Sequence, residues 1–147
     1  MAVGDIKGEE AIVQVLTAGA AVAKGDVVHL EADGKWDPVV ATDKGKFAVA
    51  IEAASGDAVE FRAVVWGRVE VTATAATIAA WQNVIAGSTG KIAKAADMVA
   101  LDAPSSYVEA TVQTELDKIQ DPRIFVGTVT EAFGSGATGT LWVGLVA

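Results

Sequence analysis

The chain contains no cysteine, one histidine and only 11 basic residues, and each shortage removes a class of chemistry. Without thiols there are no disulfides and no thiolate metal sites, so the fold must stand on packing and the redox compartment is left open. A single imidazole, His29, cannot assemble a histidine-based zinc site, and carboxylates alone are a poor substitute. With 19 acidic residues against 11 basic ones the net charge is −8. That balance makes direct nucleic-acid binding an unfavourable reading, because tracking phosphates needs clustered Lys and Arg. No stretch approaches the roughly 18 consecutive apolar residues of a membrane span, and the first residues lack a basic segment followed by an apolar one. The expectation is a soluble chain without a secretion signal.

What is present is small and apolar. The 147 residues are 52% hydrophobic, mostly Ala and Val, with only four Phe, four Trp and one Tyr. One domain of this length buries roughly 70% of its unfolded surface. Each small side chain contributes little, since burial is worth about 25 cal/mol per Å². The composition therefore points to a neighbour or a surface that adds buried area.

Turn signals divide the chain into short strands. Ala11–Leu16, Val27–Glu31 and Trp36–Val40 are separated by Thr17-Ala-Gly19, Lys24-Gly25-Asp26 and a tight turn at Asp33-Gly34. A hairpin over 47–65 follows, then a half-buried strand over 66–71 in which Gly67 marks a bulge or a close backbone approach. Residues 83–87 and 90–94 form a further hairpin, and 125–143 the last. Residues 72–80 read equally as strand, turn or one helical turn. Over 106–119, Ser106 and Glu109 resemble a capping box and Val108, Val112, Leu116 and Ile119 keep helical spacing, yet 108–116 also suits a strand. The fold class is mostly β, a small barrel or sandwich, with residues 1–9 as an extended arm and 10–147 as a single β-rich domain.

The chain also states its pattern twice. Phe47-Ala-Val-Ala-Ile-Glu52-Ala53 runs into Ser55-Gly56, and Phe125-Val-Gly-Thr-Val-Thr-Glu131-Ala132 into Ser135-Gly136. Gly34-Lys35-Trp36 likewise returns as Gly90-Lys91-Ile92. The Glu-Ala pairs lie 79 residues apart and the Gly-Lys pairs 56, so the second statement carries 23 extra residues, best placed at about 97–121. Duplication within one domain and convergent hairpins both fit. In either case Glu52 and Glu131 should hold related positions.

Motifs with chemical meaning read better as turns. Gly134-Ser-Gly136-Ala-Thr-Gly139 fits a dinucleotide fingerprint but is followed by a strand rather than a helix. Gly87-Ser-Thr-Gly-Lys91 lacks the spacing of a phosphate loop, and Ile92 stands where a magnesium-binding hydroxyl belongs. His29 is expected on the solvent or interface face of a strand. Glu52 and Glu131 read as solvated hairpin shoulders rather than an acid/base pair. Trp36, Trp66, Trp81 and Trp142 suit core or subunit-interface anchors, with a sugar-stacking platform as the rival. Catalytic residues, cofactor sites and metal ligands are expected to be none.

The order of Lys24-Gly-Asp-Val-Val28, Phe47–Ala53, Ser55-Gly-Asp57, Val64-Val-Trp-Gly-Arg-Val69, Ala86-Gly87 with Gly90-Lys-Ile92, and Val126–Ala132 resembles the capsid decoration (cement) proteins of tailed phages and related viruses. The resemblance spans about residues 20–147 and does not include 97–121. It implies a compact, β-tulip-like domain on the outer surface of an icosahedral head, assembled in the host cytoplasm and bound to the major capsid protein. It further implies homotrimers at three-fold positions that clamp the shell against internal DNA pressure. On this reading Ala2, Val3, Asp5, Ile6 and Lys7 form a capsid-docking arm. The rivals are a carbohydrate-binding module using the tryptophans and an enzyme whose carboxylates converge only in the fold.

Overall fold

A computed structural model describes residues 2–41, 43–74, 77–95, 108–110, 112 and 122–144. Among the described residues there are nine strands: β1 (Ile6–Thr17), β2 (Val27–Leu30), β3 (Trp36–Pro38), β4 (Phe47–Ala50), β5 (Glu60–Thr72), β6 (Asn83–Ala86), β7 (Ile92–Lys94), β8 (Phe125–Val129) and β9 (Thr138–Val143). They form one antiparallel sheet, ordered β3-β2-β4-β5-β9-β8-β6-β7 with β1 also on β5, which curls into a half-barrel. The fold is mostly β, as the turn spacing implies. Two expected strands, 59–65 and 66–71, are one: β5 runs unbroken through Gly67 at φ 130°.

The repeated motifs correspond to a repeated topology. In the first half β2 pairs β3 with Val28↔Pro38, His29↔Asp37 and Leu30↔Trp36; in the second β6 pairs β7 with Val84↔Lys94, Ile85↔Ala93 and Ala86↔Ile92. Every partner is displaced by 56 residues. The pairings β2–β4 and β4–β5 recur as β6–β8 and β8–β9. Parallel bridges Ala18↔Trp36 and Ala73↔Ile92 carry each curl round, and antiparallel bridges Val22↔Ala54 and Ile78↔Phe133 complete the match. β5 serves twice, as the last strand of the first half and the first strand of the second. This sharing explains its 13-residue length and its position as the partner of β1, β4 and β9.

The extra residues of the second half fall between β7 and β8, mostly outside the described residues. Within them the backbone at 109, 110 and 112 is helical, and the Val112 N–H donates to the Val108 carbonyl at 3.1 Å. The rest of the 106–119 reading lies outside the described residues.

Two apolar clusters fill the curl. Leu16, Val22, Val28, Ala50, Phe61 and Ala63 belong to the first, and Val71, Ile78, Val84, Val129, Phe133 and Leu141 to the second. β4 is buried at all four positions because both of its faces are covered, Phe47 and Val49 lying in the second apolar cluster and Ala48 and Ala50 in the first.

The arm boundary needs correction. β1 begins at Ile6, which pairs with Val69 and packs on the core. Ahead of it, Gly4 N–H donates to the Glu70 carbonyl at 2.8 Å, and the Asp5 carbonyl accepts from Glu70 N–H at 3.1 Å. Ala2 N–H donates to Asp5 Oδ2, and Lys24 Nζ lies 2.7 Å from Asp5 Oδ1. Lys7 pairs at 3.0 Å with Glu70, a residue only 4% exposed. Glycine spacing and a lack of periodicity resembled a loose arm. What ties the segment down is a set of partners 19 to 66 residues away, which local pattern does not display.

Candidate interaction surface

The four tryptophans do not converge. Trp36 on β3 is half-buried against the first apolar cluster, and its carbonyl accepts from Gly19 N–H at 3.1 Å. Trp81 is 63% exposed on the turn before β6, with φ 62°. Only Trp66 on β5 and Trp142 on β9 meet, edge to face, with ring centroids 5.4 Å apart and planes at 70°. The Arg68 guanidinium stands 5.8 Å over the Trp142 ring. Cross-strand register sets these contacts, because Arg68 is directly opposite Trp142 and Ile12 directly opposite Trp66. An open groove of about 390 Å³, lined by Gly8, Glu10, Arg68 and Trp142, runs beside them.

This aromatic and arginine face continues onto β1. Ile12, Val13 and Val15 are 54%, 38% and 62% exposed, and Gln14 between them is exposed too. Apolar β-branched residues on a sheet edge are what natural folds avoid unless a partner covers them. Trp and Arg beside such a strip are the residue types enriched at binding hot spots. Of these residues the sequence reading singled out only the tryptophans. The run Ala11–Leu16 is legible as a strand, but its edge position depends on which strand it joins and on no described strand joining residues 12–15 from the other side.

The carboxylates are occupied structurally. Glu52 receives the Arg62 side chain at 2.6 and 2.8 Å and the Arg62 N–H at 3.1 Å; Glu131 receives the Thr140 N–H at 2.9 Å. The two hold equivalent positions in the two halves, and each clips its hairpin by a bond to the returning strand. The Arg62 hydrogen bond holds the Glu52 carboxyl below its ordinary range, and the Thr140 backbone N–H does the same for Glu131. A general acid needs the opposite shift.

His29 departs from expectation. It is buried at 7% exposure beneath Phe47, with Nδ1 3.4 Å from Asp43 Oδ2 and 3.5 Å from Glu31 Oε1. Its neighbours in sequence, Val28 and Leu30, give no sign of this, because the covering residues come from β4 and the loop before it. Among the described residues no group of three His, Asp or Glu side chains could hold a metal ion, and no helix is long and apolar enough to cross a membrane.

Compared with known proteins, the sequence matches no family model and no curated protein.

Proposed function

We propose that this chain is a viral capsid decoration protein that binds the outer surface of an icosahedral head, as trimers at three-fold positions, and braces it against internal DNA pressure. The observation that carries the reading is the continuous surface of Ile12, Val13, Val15, Trp66, Arg68 and Trp142, an uncovered apolar and aromatic strip on an otherwise acidic body. Such a strip fits protein–protein contact. The turn-and-strand order that resembles the decoration proteins points to the major capsid protein as the partner.

The docking surface proposed is this strip. Residues 2–7 are engaged in closing the chain on itself through Glu70 and Lys24 and are not free to reach a shell. Carbohydrate binding is the weaker reading, since sugar rings stack on flat, open aromatic faces. Here Trp66 and Trp142 meet edge to face, and Trp81 and Trp36 stand apart.

The test is decoration itself. The purified chain is mixed with expanded, undecorated heads of the tailed phage that carries it and imaged by cryo-electron microscopy. Density at three-fold positions, lost with Trp142→Ala, supports the reading. Heads that stay bare at micromolar protein overturn it, and binding on a glycan array would move the assignment to the carbohydrate class.

A further inference from the structure

We propose that two copies of this chain join edge to edge through β1, antiparallel and centred on Gln14. Four consecutive residues, 12 to 15, are exposed, so neither face of the strand is covered there. The register with β5 is regular from Val13↔Val64 to Thr17↔Glu60. Ala18 N–H donates to Val59 on the β5 side, and Gly19 N–H to Trp36 on the opposite side. Main-chain direction alternates along a strand, so Leu16 and Gln14 face β5 while Val13 and Val15 face the edge that no described strand occupies.

The segment Ile12-Val13-Gln14-Val15-Leu16 has the same apolar and polar order read from either end. That is what a two-fold contact requires, because the same patch must complement itself. Pairing about Gln14 sets Val13 opposite the second copy's Val15 and lets these residues exchange four main-chain hydrogen bonds. Gln14 then faces its own copy as a non-hydrogen-bonded pair, with Cα atoms about 4.5 Å apart. The ladder is confined to residues 12–16, because Trp36 of β3 already bridges the outer side of Ala18; Glu10 lies beyond it, so no like charges meet directly in the ladder. The residues 11–16 contain none of the Lys or Pro guards that keep exposed edges apart. The brakes on self-association are the register shift between Ile12 and Val13, which confines regular pairing to a short stretch, and the −8 charge of each copy. Screening that repulsion makes the contact stronger as salt rises.

The contact stands whether or not the chain decorates capsids. On a head, where three-fold positions face one another across two-fold axes, it would tie each trimer to its neighbour.

Because the chain has no cysteine, Gln14→Cys introduces its only thiol. A non-hydrogen-bonded pair lies within the Cα spacing a disulfide accepts. Under mild oxidation Gln14→Cys should form a disulfide-linked pair at least tenfold faster than Ser55→Cys, an exposed control on another part of the molecule. The native chain should sediment as an even-numbered oligomer, more so at 0.5 M than at 0.05 M salt. Val13→Lys with Val15→Lys should lower the association number while leaving the circular dichroism of the fold unchanged. A native chain that stays monomeric at every salt concentration overturns the proposal. So does a three-copy assembly in which Gln14→Cys cross-links no faster than the control.

Discussion

Phe133 occupies the space that a side chain at Gly139 would need: a Cβ built on Gly139 would lie 2.4 Å from Phe133 Cε1. The first half solves the same packing problem the other way round, with Ala54 at the position of Phe133 and Phe61 at the position of Gly139. At this place each half thus buries one phenylalanine, 1% exposed in both, delivered from opposite arms of the hairpin. The volume is conserved while the residue that supplies it is exchanged.

Gly139→Val should consequently destabilise the protein by about 1–3 kcal/mol, the range for overpacking a closed core. Phe133→Ala alone should cost about 3–5 kcal/mol through the cavity it leaves. The double substitution Phe133→Ala with Gly139→Phe copies the first half. It should recover much of that loss, giving a coupling energy well above the roughly 0.5 kcal/mol seen for independent sites. Urea unfolding of the four proteins measures the cycle, and strict additivity would show that the two halves are not packed alike.

The N-terminal segment should contribute to stability rather than hang free. Lys7→Ala strands the buried Glu70 carboxylate and should cost about 2 kcal/mol, below the ~3–5 kcal/mol of a fully buried pair because Lys7 is partly solvated. Replacing both partners, Lys7→Met with Glu70→Leu, should be far milder. Deleting residues 2–8 should lower the thermal midpoint by several degrees. An unchanged midpoint would show that Gly4, Ile6 and Lys7 contribute nothing in solution.

Trp81 and Gly25 are equivalent turn residues, at φ 62° and 90°, and each donates its N–H to the matching strand, Val129 in one case and Ala50 in the other. A bulky residue in the left-handed region carries a backbone cost that glycine does not. Trp81→Gly should therefore be neutral or stabilising by up to about 1 kcal/mol. Gly25→Ala should destabilise, since the added Cβ would lie 2.5 Å from that of Val3. Differential scanning calorimetry distinguishes the two. If Trp81→Gly is instead strongly destabilising, the indole has an intramolecular role that its exposure does not indicate.

Acid should weaken the fold through several carboxylates at once. Asp5, Glu52, Asp57 and Glu131 are all held below their ordinary values, by Lys24, Arg62, Lys35 and the Thr140 N–H respectively. A depressed folded-state pKa means stability that is complete above the unfolded value and lost as pH falls through the folded one. The urea midpoint should hold from pH 7 to about 5 and decline below the ordinary 4.5 of glutamate. Half-buried Asp26 works in the other direction, because desolvation pushes its carboxyl up. Glu131→Gln should flatten the acid limb, and an unaltered limb would show that the Thr140 clip is weak.

Much of this architecture is legible along the chain. Gly34-Lys35-Trp36 and Gly90-Lys91-Ile92 announce equivalent hairpins, Glu52 and Glu131 equivalent clips, and the difference between 56 and 79 residues locates the extra segment between β7 and β8. These features are local: a turn residue, a capping carboxylate and an alternating strand each act within about ten positions, so their order in the sequence is enough. The sharing of β5 between two halves, the burial of His29, the capture of residues 2–7 by Glu70 and Lys24, and the open edge at Val13 and Val15 are of another kind. Each depends on partners brought from distant positions by the curl of the sheet, and on whether a strand has a neighbour on its second side. A strand's own residues set its period and its faces; only the closed tertiary arrangement determines which edge is left without a partner.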